Sequence, residues 1–166
     1  MVVGAGVVVA LVAFVAMEPI TALTHRYVMH GLGRRLHVSH HDRKTSRFEA
    51  NDLYPLLFAA LTMLVMAVGF QLKGHALLVP ATVGISVYGC CYGFVHEVYI
   101  HRRLPFPWRT VGLEQLKDAH RIHHLWSAAP FGMLCPVVPG RLRRRAAART
   151  GTHDPFAGGD SPVTLA

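Results

Sequence analysis

The chain has 166 residues, a length that fits one domain. It is 52% hydrophobic and only 16% charged, with a mean hydropathy of +0.33, which excludes an ordinary soluble domain and indicates a membrane protein. The net charge of +8 and the isoelectric point of about 10.0 do not require nucleic acid, because the basic residues follow the membrane pattern given below.

Residues 2–23 are almost wholly apolar, broken at Glu18-Pro19. The residues ahead of Glu18 make about 26 Å of helix, close to the roughly 30 Å of a hydrocarbon core. A signal peptide is the competing reading. No positive n-region and no A-x-A site accompany the stretch, so a retained transmembrane helix is expected. Glu18, Ala22 and His25 share one helical face. A carboxylate in a membrane segment usually faces the protein interior, and a metal-bound histidine commonly donates its other N–H to a carboxylate. Glu18 is therefore a candidate partner for His25 or a neighbour; a carboxylate reaching to the interface is the alternative.

Residues 24–52 are polar and carry two histidine groups. His25 and His30 form H-x-x-x-x-H, and His37, His40 and His41 form H-x-x-H-H, with Gly31 and Gly33 marking a turn between them. Positions i, i+3 and i+4 share a helix face, so His37, His40 and His41 are expected to point the same way. The i, i+5 pair suits a place where a helix ends and the chain turns. Asn51 and Asp52 precede the next apolar run as candidate caps, with Pro55 tolerated in the first turn.

Residues 53–72 form a second expected span, 71–75 a polar break, and 76–95 a third span. Gly89 and Gly93 make a G-x-x-x-G pattern, expected to bring a neighbouring helix close beside His96. Cys90, Cys91 and Cys135 have no zinc-site spacing and read as small buried hydrophobes. His96 and His101 repeat H-x-x-x-x-H, and Pro105, Pro107 and Gly112 indicate a loop. Residues 113–126 are amphipathic: Leu113, Leu116, His120 and His124 share one side, opposite Glu114, Asp118 and Arg121. His120, His123 and His124 form the second H-x-x-H-H. Residues 130–139 are too short to span and hold three prolines, which suits a segment at the interface or over a site. The chain divides into a membrane domain over 1–140 and a basic tail over 141–166, expected to be disordered.

Together these readings define an all-α integral membrane bundle of three spans, or four if residues 76–101 hold a bent pair. With three spans, 16 of the 17 Lys and Arg residues fall on the side of the histidine groups and only Lys73 on the other. The positive-inside rule then puts the histidines and the C-terminus on the cytoplasmic face of the inner membrane. That basic face also suits anionic lipid or an acidic protein partner.

Ten of the twelve histidines belong to the four groups; His75 and His153 stand outside them. Ten imidazoles exceed the needs of one tetrahedral zinc and fit two metal ions. Few carboxylates accompany them, and zinc is redox-inactive, so two non-haem irons activating O2 on a water-insoluble substrate are expected. No dinucleotide fingerprint is present, so electrons must come from a separate donor; a small acidic ferredoxin suits the basic face. A membrane metal transporter or a haem-binding subunit is the reading from another class. Both place histidines deep in the bilayer, whereas these cluster just past the ends of the spans.

The segments His25–His30, His37–His41, Phe48-Glu49-Ala50-Asn51-Asp52-Leu53-Tyr54, His96–His101 and His120–His124 resemble the bacterial β-carotene hydroxylases of the fatty acid hydroxylase/sterol desaturase superfamily. The resemblance covers roughly residues 10–136, and the F-E-x-N-D-L-Y segment and Phe131-Gly132-x-Leu134 point to the carotenoid branch. It implies 3-hydroxylation of β-ionone rings, from β-carotene through cryptoxanthin to zeaxanthin, with non-haem iron and O2. It makes all ten box histidines metal-site candidates, with Glu18, Asn51, Asp52 and Glu97 as residues supporting them. Glu97 stands where the family pattern leads us to expect aspartate, and the loop between His124 and Phe131 is shorter than usual. A carotenoid ketolase, a desaturase or a lipid hydroxylase using the same boxes is the nearest alternative, since ligand spacing does not specify the reaction.

Overall fold

The computed structural model describes residues 2–41 and 48–148, and within them every regular element is helical. Helix α1 (Val2–Thr24) runs on into a π-helical segment, His25–Leu32, that breaks at Gly31. A short helix α2 (Arg34–His41) follows. A single 3₁₀ turn, Ala50–Asp52, leads into α3 (Leu53–Gln71). Helix α4 (Leu78–Gly93) continues as a second π-helical segment, Phe94–Ile100. Two surface helices complete the fold, α5 (Val111–Trp126) and α6 (Gly140–Ala148).

Three helical stretches are long and apolar enough to cross a membrane: Val3–Leu32, Ala50–Gln71 and Leu78–Ile100. The last is one rod, not a bent pair, so among the described residues the three-span reading holds and the four-span one does not. Large apolar side chains on these rods are exposed, among them Leu11, Val15, Leu57, Leu64 and Val87, as lipid-facing residues would be. The turn between α3 and α4 lies at the opposite end of the bundle from the histidines.

Helix α4 packs against both α1 and α3, while α1 and α3 hardly touch each other. The tightest approach is at Gly84, where a Cβ would sit 2.1 Å from the Ala10 carbonyl oxygen. Gly84, not the G-x-x-x-G pair, is thus the small residue that admits a neighbouring helix. A Cβ on Gly89 or Gly93 would meet nothing within 4 Å, which corrects the expectation of a helix pressed beside His96. These two glycines widen a cleft instead.

The cysteine expectation also needs correction. Cys90 and Cys135 are exposed and Cys91 is half-buried. In a span, a small apolar side chain gains nothing from burial, because lipid solvates it as well as protein does.

The apolar core sits at the histidine end. Val95, Tyr99, Ile100 and Met133 form one cluster; Ile122, Leu142 and Ala146 form another. The second cluster corrects the expected disorder from residue 141: Leu142 and Ala146 sit on one face of α6, and burying that face against Ile122 makes the first part of the basic tail helical. The remainder of the tail, with His153, lies outside the described residues.

Candidate metal centre

The two i, i+5 pairs sit on the two π-helical segments, where the wider turn brings residues five apart together. The His101 N–H donates to the His96 carbonyl at 2.9 Å, and the paired rings lie 5.0 Å apart for His25/His30 and 4.5 Å for His96/His101. π-Helical turns are frequent at functional sites. The break at Gly31 then redirects the chain into α2, as the i, i+5 spacing led us to expect. Gly33 is required there, because the Tyr54 hydroxyl closes on its carbonyl at 2.9 Å and leaves no room for a Cβ.

The imidazoles gather in two groups. One nitrogen from each of His25, His30, His37, His41 and His123 lies within 4.8 Å of the others, and the same holds for His40, His101, His120 and His124. His96 stands beside the second group, its ring 4.5 Å from His101 and 4.8 Å from His120. The groups adjoin, with the His41 and His124 rings stacked at 4.3 Å. The boxes thus converge, but each H-x-x-H-H divides. His37 and His41 join the first group and His40 the second, while His120 and His124 join the second group and His123 the first. The division follows from helix geometry: positions i+3 and i+4 fall on either side of i, about 100° apart. The i, i+4 pair stays together and i+3 turns to the neighbouring group.

Five of these imidazoles meet an oxygen atom at 3.1 Å or less, and His41 Nδ1 meets Ser127 Oγ at 3.5 Å. The Nδ1–H of His25 donates to the Phe131 carbonyl (3.1 Å) and that of His123 to the Ala128 carbonyl (2.6 Å). His37 Nδ1 donates to Asn51 Oδ1 (2.7 Å), His40 Nδ1 to Glu49 Oε2 (3.1 Å) and His96 Nδ1 to Glu97 Oε1 (2.6 Å). Arg103 ties the acidic partners together, reaching Asp52 at 2.8 Å, Glu97 at 2.7 Å and Glu49 at 3.4 Å. Its hydrogen bond to Asp52 raises the guanidinium further above its ordinary value.

Of the supporting residues read from the sequence, Asn51 and Glu97 each meet an imidazole directly. Asp52 serves Arg103 and accepts from the Glu49 backbone N–H at 3.0 Å. Neither Asn51 nor Asp52 caps α3 directly; the Asn51 oxygen is committed to His37, while Asp52 and Glu49 form a capping box on the 3₁₀ turn that leads into α3. The Glu18 carboxylate accepts from Tyr88 and from three backbone N–H groups of residues 133–135, with no imidazole among these partners. His75 is exposed in the α3–α4 turn, outside both groups, as expected. Glu49 and Arg103 escaped the sequence reading, although Glu49 belongs to the F-E-x-N-D-L-Y segment and Arg103 follows His101 by two residues. The carbonyls of Ala128 and Phe131 leave no side-chain signal at all.

The chemistry of this donor set fits metal ions. A carbonyl only accepts, so His25 and His123 must each carry a proton on Nδ1 and leave a lone pair on Nε2. Oriented by the Asn51 oxygen, His37 does the same. The Nε2 atoms of His25 and His37 then face each other at 3.1 Å with no proton between them, which is repulsive without a cation. Two imidazoles bound to one ion at right angles, each at about 2.1 Å, would lie about 3 Å apart. His40 Nε2 is buried and has no hydrogen-bond partner. Burial lowers the pKa of His37 to about 4 and of His41 to about 3, and holds His40, His120, His123 and His124 well below the ordinary histidine value. Neutral imidazole is the form that binds a metal.

A cavity of about 390 Å³ opens in the cleft between α1 and α3, with α4 behind it. Its walls are mostly apolar, with Met17, Phe58, Met66 and Tyr92 among them, and it runs past Gly89 and Gly93 to Asn51 and His96. A long apolar molecule can therefore reach from the level of the spans to the edge of the imidazole groups.

This arrangement of spans and boxes defines a class, and the chain belongs to it: it is a member of the fatty acid hydroxylase family, which matches residues 10–138. Within that family it is similar to the beta-carotene hydroxylase of Pantoea ananas, 36% identical over 167 residues and 94% of each chain. A beta-carotene hydroxylase of Pseudescherichia vulneris is 42% identical over 70% of this chain and 66% of the relative. A chloroplastic beta-carotene 3-hydroxylase of Haematococcus lacustris is 38% identical over 70% of this chain and 39% of its own, longer sequence. No solved structure matches the chain.

Proposed function

We propose that this protein is a membrane-bound di-iron monooxygenase that hydroxylates the β-ionone rings of carotenoids at C3, taking β-carotene through β-cryptoxanthin to zeaxanthin. The observation that carries the reading is the pair of imidazole groups at the inner end of an apolar cavity, in a chain that aligns along 94% of its length with a beta-carotene hydroxylase. His25, His30, His37, His41 and His123 hold one iron. His40, His101, His120 and His124, with His96 beside them, hold the other. When bound, the two irons supply O2 activation: one oxygen atom enters the C–H bond and the other leaves as water, with two electrons and two protons drawn from outside. The electrons come from a ferredoxin-type donor, for which the basic face rich in Arg is the docking side. The excess of Lys and Arg toward the histidine end supports a cytoplasmic location for that end and the C-terminus.

The chain's own residues bind and orient. Asn51, Glu49, Glu97 and the carbonyls of Ala128 and Phe131 fix which nitrogen of each imidazole faces inward. The apolar walls seat the ring end of the substrate, and the mouth between α1 and α3 lets it enter from the bilayer rather than from water. Carotenoid analysis of cells that accumulate β-carotene and express the chain tests the proposal. Zeaxanthin and β-cryptoxanthin are expected. Ketolated or desaturated products would move the chain to another reaction of the family, and unchanged β-carotene would refute carotenoid hydroxylation.

A further inference from the structure

Glu18 is a carboxylate inside a membrane span, yet its two oxygens accept from four neutral donors. Oε1 takes the backbone N–H groups of Met133 and Cys135, both at 2.9 Å. Oε2 takes the Leu134 N–H at 3.1 Å and the Tyr88 hydroxyl at 2.6 Å. Three backbone N–H groups converging on one anion make a nest, here closed by a side chain from the same chain 115 to 117 residues away. The fit leaves no slack: a Cβ on Gly132 would lie 2.5 Å from Glu18 Oε1.

The loop held in this way is the one whose carbonyls orient two imidazoles of the five-histidine group. Ala128 O accepts from His123 Nδ1 and Phe131 O from His25 Nδ1. The Phe131 ring also packs on His25, His30 and His123, at 5.6, 5.4 and 5.4 Å. The four-histidine group draws its orientation from elsewhere, through Glu49 on His40 and Glu97 on the adjoining His96.

We propose that Glu18 is a positioning residue for the five-histidine metal site alone, acting at a distance: its charge gathers the 133–135 backbone and so holds the Phe131 and Ala128 carbonyls against His25 and His123. This rests on the dimetal reading above. A carboxylate is required because both oxygens are acceptors. In Glu18→Gln, one of them becomes an NH2 group: at the Oε1 position it faces two backbone N–H donors, and at the Oε2 position it faces the Leu134 N–H while the Tyr88 hydroxyl can turn to accept, so at least one backbone N–H loses its acceptor either way.

The test uses the full chain, purified from membranes in detergent and loaded with ferrous iron. Iron per chain, the Mössbauer spectrum and the rate of iron loss to a chelator are measured. His25→Ala and His120→Ala supply reference signatures for damage to each group. Wild type should hold two irons; failure there would sink the dimetal reading itself and not merely the role of Glu18. Glu18→Gln should lose iron from one site about tenfold faster than wild type, the scale for a lost outer partner. Its spectrum should follow His25→Ala and not His120→Ala, and Glu18→Asp should restore part of the loss. Gly132→Ala leaves the charge intact but pushes the loop off it, and should give the same one-site pattern; it decides the matter if Glu18→Gln does not fold. Two tightly held irons with an unchanged spectrum in Glu18→Gln, or in Gly132→Ala should the former not fold, would overturn the proposal. So would equal damage to both sites.

Discussion

Replacing Asn51 by leucine isolates one link between the polypeptide and the metal centre. Asn51 and His37 are both buried, at 4% and 3% exposure, so water does not substitute for the lost oxygen. The variant removes the acceptor 2.7 Å from His37 Nδ1 and keeps the branched shape and number of heavy atoms, with two methyl groups in place of the oxygen and the NH2. The imidazole can then move its proton to Nε2, the nitrogen that must be bare to bind. Loss of such an outer partner typically costs 10- to 100-fold in metal affinity, or about 1.4–2.8 kcal/mol. A competition titration against a chelator of known iron affinity reads this directly. Asn51→Leu should fall in that range, while Asn51→Asp, which keeps an acceptor, should bind at least as well as wild type. Equal affinities for Asn51→Leu and wild type would show that the Asn51 oxygen does not set the His37 tautomer, and the argument for bare Nε2 atoms would lose one of its supports.

Three further outcomes are expected. His123→Ala removes a ligand of the five-histidine group and should abolish turnover, whereas His75→Ala, in the far turn, should not; product chromatography from β-carotene-accumulating cells compares them. Gly89→Leu places an isobutyl group in the cavity where nothing stands within 4 Å. It should leave iron content intact and lower turnover of a cyclic end group by about tenfold, equivalent to about 1.4 kcal/mol in the barrier. Gly84→Ala drives a methyl group against the Ala10 carbonyl and should cost about 1–3 kcal/mol, the usual cost of overpacking; thermal unfolding in detergent should show a lower midpoint.

The long apolar helices and the converging boxes were legible, because hydropathy and i, i+4 spacing are properties of side chains read one at a time. The division of each H-x-x-H-H was legible in principle from the angle between positions i+3 and i+4, but it emerges only when a second helix is present to receive His40 and His123. The G-x-x-x-G pattern misled because two glycines permit either a close neighbour or an empty cleft, and the sequence does not say which. The Glu18 carboxylate was read as a partner for His25 or a neighbour, yet three of its four donors are main-chain N–H groups, which every residue except proline possesses. Glu49 and Arg103 form part of a charge network assembled from two separate segments, 49–52 and 97–103, so no local spacing announces it.

The crossing of ligands between the two imidazole groups has a mechanical consequence. His40 and His41 are sequence neighbours that belong to different imidazole groups, and so are His123 and His124. The separation of the two centres is therefore gauged twice by a single peptide unit, about 3.8 Å from one Cα to the next, and not by how three long rods lean on one another. A bilayer that thins, thickens or tilts those rods would reshape the apolar cleft well before it altered the spacing of the two imidazole groups.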